Sequence, residues 1–176
     1  NRIIAMGEEE WRVKTVGFPA IDLIVEGDFS SKEILLEKFD LDLERPIIIY
    51  TQHSVTTEYK KAQSQIEPAL LALGKLGSEG AQVIITYPNN DAGGLSIIKS
   101  LQEFMSQSPA GVQLYPSLGR QNYHGLLSLA RDKVRVVCAG NSSSGIKETP
   151  AFGCPSINIG SRQDGRLRAE NVLDVG

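Results

Sequence analysis

Short apolar runs alternate with longer runs of helical period along most of the chain, and this alternation limits the possible folds more than any other feature. Five apolar runs are predicted as strands: 47–51, 82–87, 112–115, 134–138 and 156–159. Helices are predicted between them: 58–76, a helix with Leu95, Ile98, Leu101 and Met105 inward, 123–131, and a short helix ending at Phe152. Strand–helix–strand units with short connections form right-handed crossovers in a parallel sheet. Because the strands are apolar on nearly every residue, both faces of that sheet should be covered, and the sequence predicts a Rossmann-like α/β sandwich.

Residues 1–45 follow a different pattern from the rest of the chain. Residues 1–12 are predicted as the tail of a helix that begins before this chain does. Ser30 is predicted as the N-cap of a further helix, with Glu33 completing a capping box. The inward side chains of that helix are predicted to be Ile34, Leu35 and Phe39. We expect residues 1–45 to be a lead-in and linker to one folded domain, residues 46–176.

Charge and composition argue against several classes of protein. The chain has 18 Lys and Arg against 21 Asp and Glu, a formal net charge of −3 without a basic run, which argues against nucleic-acid binding. No apolar run approaches the roughly 18 residues that a membrane helix needs, and residues 1–11 lack a secretory signal pattern. Cys138 and Cys154 have no histidine at metal-ligand spacing. We therefore expect buried reduced thiols in a cytoplasmic protein, without a metal.

Polar residues follow three of the predicted strands, at the edge where ligands bind in open parallel sheets. The segments are residues 51–57, 88–94 and 140–145. The last is the strongest candidate for a phosphate site, because its small residues let backbone amides approach an anion and a helix N-terminus follows. The hydroxyls of Ser142 and Ser143 can also donate to phosphate oxygens. The segment lacks the Gly-Lys-Ser/Thr ending of a P-loop, and a flexible Ser/Gly turn is the alternative interpretation.

Three further side chains near these loops carry candidate chemistry. His53 follows the first strand and can bind a phosphate or act as an acid or base, or it can simply cap the next helix. Glu148, one turn inside the helix after Gly145, can hold both hydroxyls of a ribose or merely complement the helix dipole. Arg162, one of three arginines after the fifth strand, can offer a forked donor to a diphosphate or lie solvated at the surface. His124 is predicted to be structural or exposed.

Several longer stretches resemble a single family. They are residues 140–148, 151–155, 158–163, 165–166, 170–172, 52–58, 87–93 and 2–8. Together they resemble the hydrolysing UDP-N-acetylglucosamine 2-epimerases across essentially the whole chain. The non-hydrolysing relatives carry a His-Arg-Arg-Glu-Asn type motif where this chain has His53-Ser54-Val55-Thr56-Thr57. That difference favours the hydrolysing branch.

This resemblance implies a fold and a reaction. The family has two Rossmann-like domains facing a cleft, the GT-B arrangement that many nucleotide-sugar glycosyltransferases share. Its members convert UDP-N-acetylglucosamine, or a diacetamido relative, into UDP and the 2-epimeric free sugar. The implied route is elimination of UDP to a glycal, then addition of water with inversion at C2. The product feeds synthesis of sialic or related nonulosonic acids, and we expect no cofactor.

The resemblance also implies roles for individual residues. Ser142 and Ser143, in the loop that begins with Gly140 and Asn141, would hold the diphosphate. Glu148 would bind the ribose hydroxyls, Arg162 would contact the phosphates, and His53 would help UDP to leave. The loop around Leu118 and Gly119 would meet the uracil, with Tyr123 just behind it.

The chain differs from the family in its extent, because the whole first domain, with the carboxylates expected to move the C2 proton, is missing from it. We therefore expect residues 46–176 to be a UDP-binding half that is inactive and binds UDP weakly on its own. Its expected partners are a UDP-sugar and the missing domain, with a homo-oligomer possible. Two alternatives stay open: the donor-nucleotide half of a GT-B glycosyltransferase, and a nucleotide sensor without enzymatic activity.

Overall fold

Six parallel strands form the centre of the molecule, which a computed structural model describes over residues 2–176. The strands are β1 (Ile47–Thr51), β2 (Gln82–Thr86), β3 (Val112–Tyr115), β4 (Val136–Gly140), β5 (Ser156–Ile159) and β6 (Val172–Val175). Their order across the sheet is β3-β2-β1-β4-β5-β6, and every neighbouring pair is parallel. The order reverses between β1 and β4, where open α/β sheets place their ligands.

Helices cover both faces of this sheet. They are α1 (Arg2–Ala5), α2 (Ala20–Val25), α3 (Lys32–Phe39), α4 (Ala62–Ser78), α5 (Gly94–Ser106), α6 (Gly119–Ser128), α7 (Ser144–Lys147) and α8 (Thr149–Phe152). Short 3₁₀ turns occupy Glu10–Arg12, Thr56–Lys61, Leu129–Asp132 and Ser161–Gln163.

Strand β1 shows how the two layers form, because its successive side chains point to opposite faces. Ile47 and Ile49 pack in the layer that contains α2, α3, α6 and α8. Ile48 and Tyr50 pack in the layer that contains α4 and α5. All four side chains are buried, so the Rossmann-like α/β sandwich predicted from the sequence is confirmed.

The sheet differs from the prediction at two strands. Strand β4 runs from Val136 to Gly140 rather than over 134–138, and Thr51 pairs with Gly140 at its end. The sixth strand, β6, was not predicted. Leu173 is 62% exposed, and β6 lies at the edge of the sheet, so it lacks the buried apolar pattern that marks the other strands.

Some helix details also differ from the prediction. In α5 the predicted inward residue Leu101 is buried, but Leu95 is 84% exposed and Ile97 takes the buried position instead. The N-cap of α3 is Ser31, not Ser30, and among the described residues no side-chain hydrogen bond caps this helix. The Ser30 hydroxyl donates to Asn122 Oδ1 at 2.9 Å, so the predicted capping box of Ser30 and Glu33 is absent. Helix α6 begins at Gly119, one turn earlier than predicted.

The lead-in divides into two parts with different surroundings. Ile24, Leu35 and Phe39 are at most 2% exposed and belong to the same core as the sheet. Residues 2–19, by contrast, contain no buried side chain. Within residues 2–176, none of the helices has the length and apolar character needed to span a membrane.

Candidate nucleotide site

A cleft of about 490 Å³ opens at the carboxyl ends of the central strands. Its walls come from the loops after β1, β2, β3 and β4, together with the first turns of α6. Of the residues singled out in the sequence, His53, Leu118, Gly119, Ser142 and Glu148 line this cleft. Segments up to about 90 positions apart in the chain therefore meet at one place, because parallel strands end at the same sheet edge.

Asn141 joins the segments that follow β1, β4 and β5, without lining the cleft itself. Its Oδ1 accepts a hydrogen bond from the backbone N–H of His53 at 2.7 Å, and its Nδ2 donates to the His53 carbonyl at 2.8 Å. Its backbone N–H donates to the Thr51 carbonyl at 3.1 Å. Its own carbonyl accepts from Arg162 Nη1 at 3.1 Å and from Gln163 Nε2 at 2.7 Å. We call Asn141 and these four partners the Asn141 hub.

Gly140 is the glycine that this junction requires. Its φ of +122° is a conformation that side chains rarely adopt, and an added Cβ would lie 2.0 Å from the Thr51 carbonyl oxygen. Gly140 and Asn141, both singled out in the sequence, thus shape the loop through backbone conformation and through the hub, without lining the cleft. Sequence patterns alone indicated small residues here but not which of them face the ligand.

A chain of hydroxyl groups underlies the loop after β4. Ser142 Oγ lies 2.9 Å from Ser144 Oγ, which lies 2.8 Å from the Tyr123 hydroxyl, and that hydroxyl reaches Cys138 Sγ at 3.3 Å. Ser142 and Ser144 line the cleft, whereas Ser143 precedes α7 and does not line it. Burial raises the pKa of the Cys138 thiol to about 11, so this cysteine is a packed structural group.

His53, which follows the end of β1, is held in one tautomer. Its Nδ1 accepts a hydrogen bond from the Asn89 backbone N–H at 2.9 Å, so the neutral ring carries its hydrogen on Nε2. Burial lowers the pKa of His53 to about 4, and the positive charge of Arg162 adds to this, while Asp91 opposes it. The neutral ring is therefore a hydrogen-bond donor from Nε2 near neutral pH, suited to an anionic oxygen.

Arg162 lies beside the cleft rather than in it. Its guanidinium is 3.5 Å from the Asp91 carboxylate, and it lines an adjacent polar cavity of about 580 Å³ together with Thr56 and Arg166. Its Nη1 also donates to the Asn141 carbonyl at 3.1 Å, so two contacts hold the guanidinium and the one to Asp91 is the longer. Asp91, in the loop after β2, is thus the partner of Arg162.

Glu148 occupies a different local structure from the one predicted. The helix after Gly145 is broken, and Glu148 sits at the junction of α7 and α8 with φ −108° and ψ −40°. Its Oε2 lies 2.8 Å from Nε2 of His124, which is 2% exposed. His124 also lines the cleft. The sequence predicted only that His124 is structural or exposed, and its contact with Glu148 was not foreseen.

The remaining wall is apolar and comes from the loop after β3. Leu118 is buried and precedes α6, and Gly119 has a φ of +69° with nothing within 4 Å of an added Cβ. Tyr123 stands one turn further along α6 and also lines the cleft. An apolar wall beside hydroxyls, a neutral histidine donor and a carboxylate suits a flat base, phosphates and a ribose. Fold and site together define the class: a Rossmann-like domain with a mixed polar and apolar cleft at its topological switch point, where open parallel sheets place their ligands.

Comparison with known proteins identifies the family. The family model described as UDP-N-acetylglucosamine 2-epimerase matches residues 1–176. The chain is 36% identical over 174 residues to the GDP/UDP-N,N'-diacetylbacillosamine 2-epimerase (hydrolyzing) of Campylobacter jejuni, covering 99% of this chain and 44% of that protein. It is 31% identical over 175 residues to the UDP-N,N'-diacetylbacillosamine 2-epimerase (hydrolyzing) of Legionella pneumophila, covering 99% and 44%. It is 32% identical over 173 residues to the UDP-N-acetylglucosamine 2-epimerase of Neisseria meningitidis, covering 98% and 43%.

The chain belongs to the UDP-N-acetylglucosamine 2-epimerase family. It spans less than half the length of the curated relatives that it matches. The resemblance inferred from the sequence motifs is therefore confirmed, and the glycosyltransferase alternative is not favoured.

Proposed function

We propose that this chain is the UDP-binding half of a hydrolysing UDP-sugar 2-epimerase. The observation that carries the proposal is the meeting of His53, Ser142, Glu148 and Leu118 in one cleft of a chain matched along its whole length by the epimerase family. In this half, residues 46–176 bind the nucleotide and residues 1–45 lead in from the other domain.

Each part of the cleft suits one part of UDP. The apolar loop at Leu118 and Gly119 receives the uracil, and the Glu148 carboxylate accepts hydrogen bonds from the ribose hydroxyls. The diphosphate takes hydrogen bonds from the loop of Ser142 and Ser143, and Arg162 turns from Asp91 toward it. Ser144, which lines the cleft beside Ser142, adds a further hydroxyl.

His53 has the chemistry needed at the bond that breaks. In the proposed first step, the C1–oxygen bond to UDP breaks, a proton leaves C2, and a C1=C2 double bond forms. Negative charge grows on the departing phosphate oxygen, and the Nε2–H of neutral His53 donates a hydrogen bond to it. Water then adds to C1 while C2 regains a proton on the opposite face, which gives the 2-epimer. The groups that move the C2 proton belong to the other half.

The sugar and the setting follow from the family. Relatives named for UDP-N-acetylglucosamine and for UDP-N,N'-diacetylbacillosamine are similarly identical to this chain, at 32% and 36%. The proposal is therefore an acetamido UDP-sugar, with a ManNAc-type product that enters sialic or nonulosonic acid synthesis. Buried free Cys138 and Cys154 support a cytoplasmic setting. A homo-oligomer and the first domain are the proposed protein partners.

Calorimetric titration of UDP tests nucleotide binding directly. A Ser142→Ala, Ser144→Ala double variant is expected to lose at least tenfold in affinity, because it removes two hydroxyl donors that line the cleft. The matched control, Ser96→Ala with Ser106→Ala, removes two exposed hydroxyls of α5 and should bind UDP like the unaltered chain. Adenine nucleotides should give no heat. If the unaltered chain binds no UDP at millimolar concentration, the proposal that this half binds the nucleotide fails.

The reaction is tested in a protein that carries both halves. Such a protein should release UDP from UDP-N-acetylglucosamine or its diacetamido relative without any acceptor, and in heavy water the free sugar should carry deuterium at C2. A requirement for an acceptor alcohol would instead point to glycosyl transfer. The isolated chain should release no UDP.

A further inference from the structure

We propose that His124 is a positioning residue that holds the Glu148 carboxylate for a ribose, so that this contact makes the site selective for ribonucleotides over 2'-deoxyribonucleotides. The inference rests on the proposed function in one respect, namely that Glu148 faces the ribose of a bound nucleotide. It adds a residue that the sequence motifs did not include.

The contact itself is short and well shielded. Nε2 of His124 lies 2.8 Å from Oε2 of Glu148, and the two side chains are 2% and 18% exposed. Within residues 2–176, His124 is the sole hydrogen-bond partner of the Glu148 carboxylate. A hydrogen bond to a charged group in such surroundings is stronger and more directional than one in water.

The tautomer of His124 follows from its other nitrogen. Nδ1 is buried and has no hydrogen-bond partner among the described residues. A hydrogen on Nδ1 would leave a buried donor unpaired, whereas a hydrogen on Nε2 points at the carboxylate oxygen. His124 therefore donates from Nε2 to Glu148.

The ring is fixed by packing, so it can fix the carboxylate in turn. The His124 ring centroid lies 5.6 Å from that of Phe152 and 6.2 Å from that of Tyr123. His124 comes from α6, whereas Glu148 sits where α7 meets α8. The hydrogen bond thus ties a carboxylate at a helix break to a side chain of a separate helix, α6.

This arrangement leaves the carboxylate oriented for a vicinal diol. His124 occupies one lone pair of Oε2, while Oε1 has no partner within the described residues, and both side chains line the cleft. Two adjacent ribose hydroxyls can each donate to one carboxylate oxygen. A 2'-deoxyribose supplies one donor fewer, so it loses one of these bonds. A carboxylate free to rotate would distinguish the two sugars less sharply.

The test compares UDP with 2'-deoxy-UDP on the unaltered chain and on three variants, by heteronuclear NMR titration, which measures millimolar affinities. The unaltered chain should prefer UDP by about tenfold, the equivalent of one good hydrogen bond. His124→Phe keeps a ring against Phe152 but has no donor, and its preference should fall to about threefold or less. His124→Gln, whose amide can donate near the place of Nε2, should recover most of the preference. Glu148→Gln should reduce the preference for UDP, whether position 124 holds His, Phe or Gln.

A second measurement needs no ligand. The ring ¹⁵N shifts of His124 should report hydrogen on Nε2 in the unaltered chain, and they should move in Glu148→Gln. Hydrogen on Nδ1 overturns the inference, and so does a preference for UDP that His124→Phe leaves intact. If His124→Phe does not fold, the tautomer and His124→Gln decide the matter. If the unaltered chain binds no UDP at all, the proposed function fails instead. The failure of this inference and the failure of the proposed function are therefore distinguishable.

Discussion

The Asn141 hub and residues 2–19 are opposite extremes of the same chain. In the hub, Asn141 is 4% exposed, and both its side chain and its backbone are paired with residues far away in sequence. In residues 2–19, Met6, Trp11 and Val16 are each more than two-thirds exposed, and Trp11 Nε1 bonds only to the neighbouring Glu9. The contrast shows that the buried, hydrogen-bonded contacts of this chain lie at the carboxyl ends of the strands and not along residues 2–19.

The largest expected effect comes from filling the space at the hub. Gly140→Ala places a Cβ 2.0 Å from the Thr51 carbonyl oxygen at a φ of +122°, so it should lower the free energy of unfolding by about 3 kcal/mol or more. Urea unfolding followed by circular dichroism measures this. The control Gly153→Ala has a φ of +64° with nothing within 4 Å, and should cost only about 1 kcal/mol. Equal losses in the two variants would contradict the hub as a tightly packed junction.

An intermediate effect comes from pH, through His53 next to the hub. Its ordinary pKa is 6.5, and burial with the charge of Arg162 lowers the pKa to about 4 in the folded chain. Between those values the unfolded chain binds the proton and the folded chain does not, so stability is full above about pH 6.5 and falls as pH drops toward 4.

The loss from His53 should be about 1 kcal/mol, since solvent partly screens the group. It is measured by urea unfolding at several pH values between 4 and 7.5. His53→Asn keeps an acceptor for the Asn89 N–H and should remove this part of the pH dependence. An unchanged pH profile in His53→Asn would show that His53 titrates without such a shift.

The smallest effect belongs to residues 2–19. Trp11→Ser should change the free energy of unfolding by less than about 0.5 kcal/mol, because the side chain is 69% exposed. The comparison is Ile24→Ala, which truncates a core side chain that is 2% exposed. This change should lower the free energy of unfolding by about 2 to 4 kcal/mol. Circular dichroism is the appropriate probe, since Trp11 is the single tryptophan. A large loss from Trp11→Ser would remove the contrast between the two regions.

Much of the fold could be predicted because its signals are local. Buried parallel strands such as Ile47–Thr51 carry continuous apolar runs, and the run alone is enough to recognise them. Strand β6 could not be found in this way, since Leu173 and Val175 are partly exposed and its place depends on pairing with β5. The contact of Ser30 with Asn122, far along the chain, likewise could not be predicted from a local pattern.

The candidate site was predicted in its location but not in its internal connections. Position after a strand indicated His53, Ser142 and Glu148, and all three line the cleft. The hydrogen bond between His124 and Glu148 joins two helical segments that are separated in the chain. No spacing rule predicts that a buried histidine will contact a carboxylate in another segment. The break at Glu148 was also missed, although Pro150 signals it, because proline suits the first turn of a new helix and not the interior of a continuing one.

The Asn141 hub also implies an order of events during folding. The bonds between His53 and Asn141 join positions 88 apart in sequence, and β1 cannot pair with β4 until the chain through Gly140 is complete. Such long-range pairing is slow compared with the formation of local helices. A chain that has formed β1 to β3 therefore has part of its core but not the wall of the cleft that follows β4, and the cleft is complete only when β4 docks in the middle of the sheet.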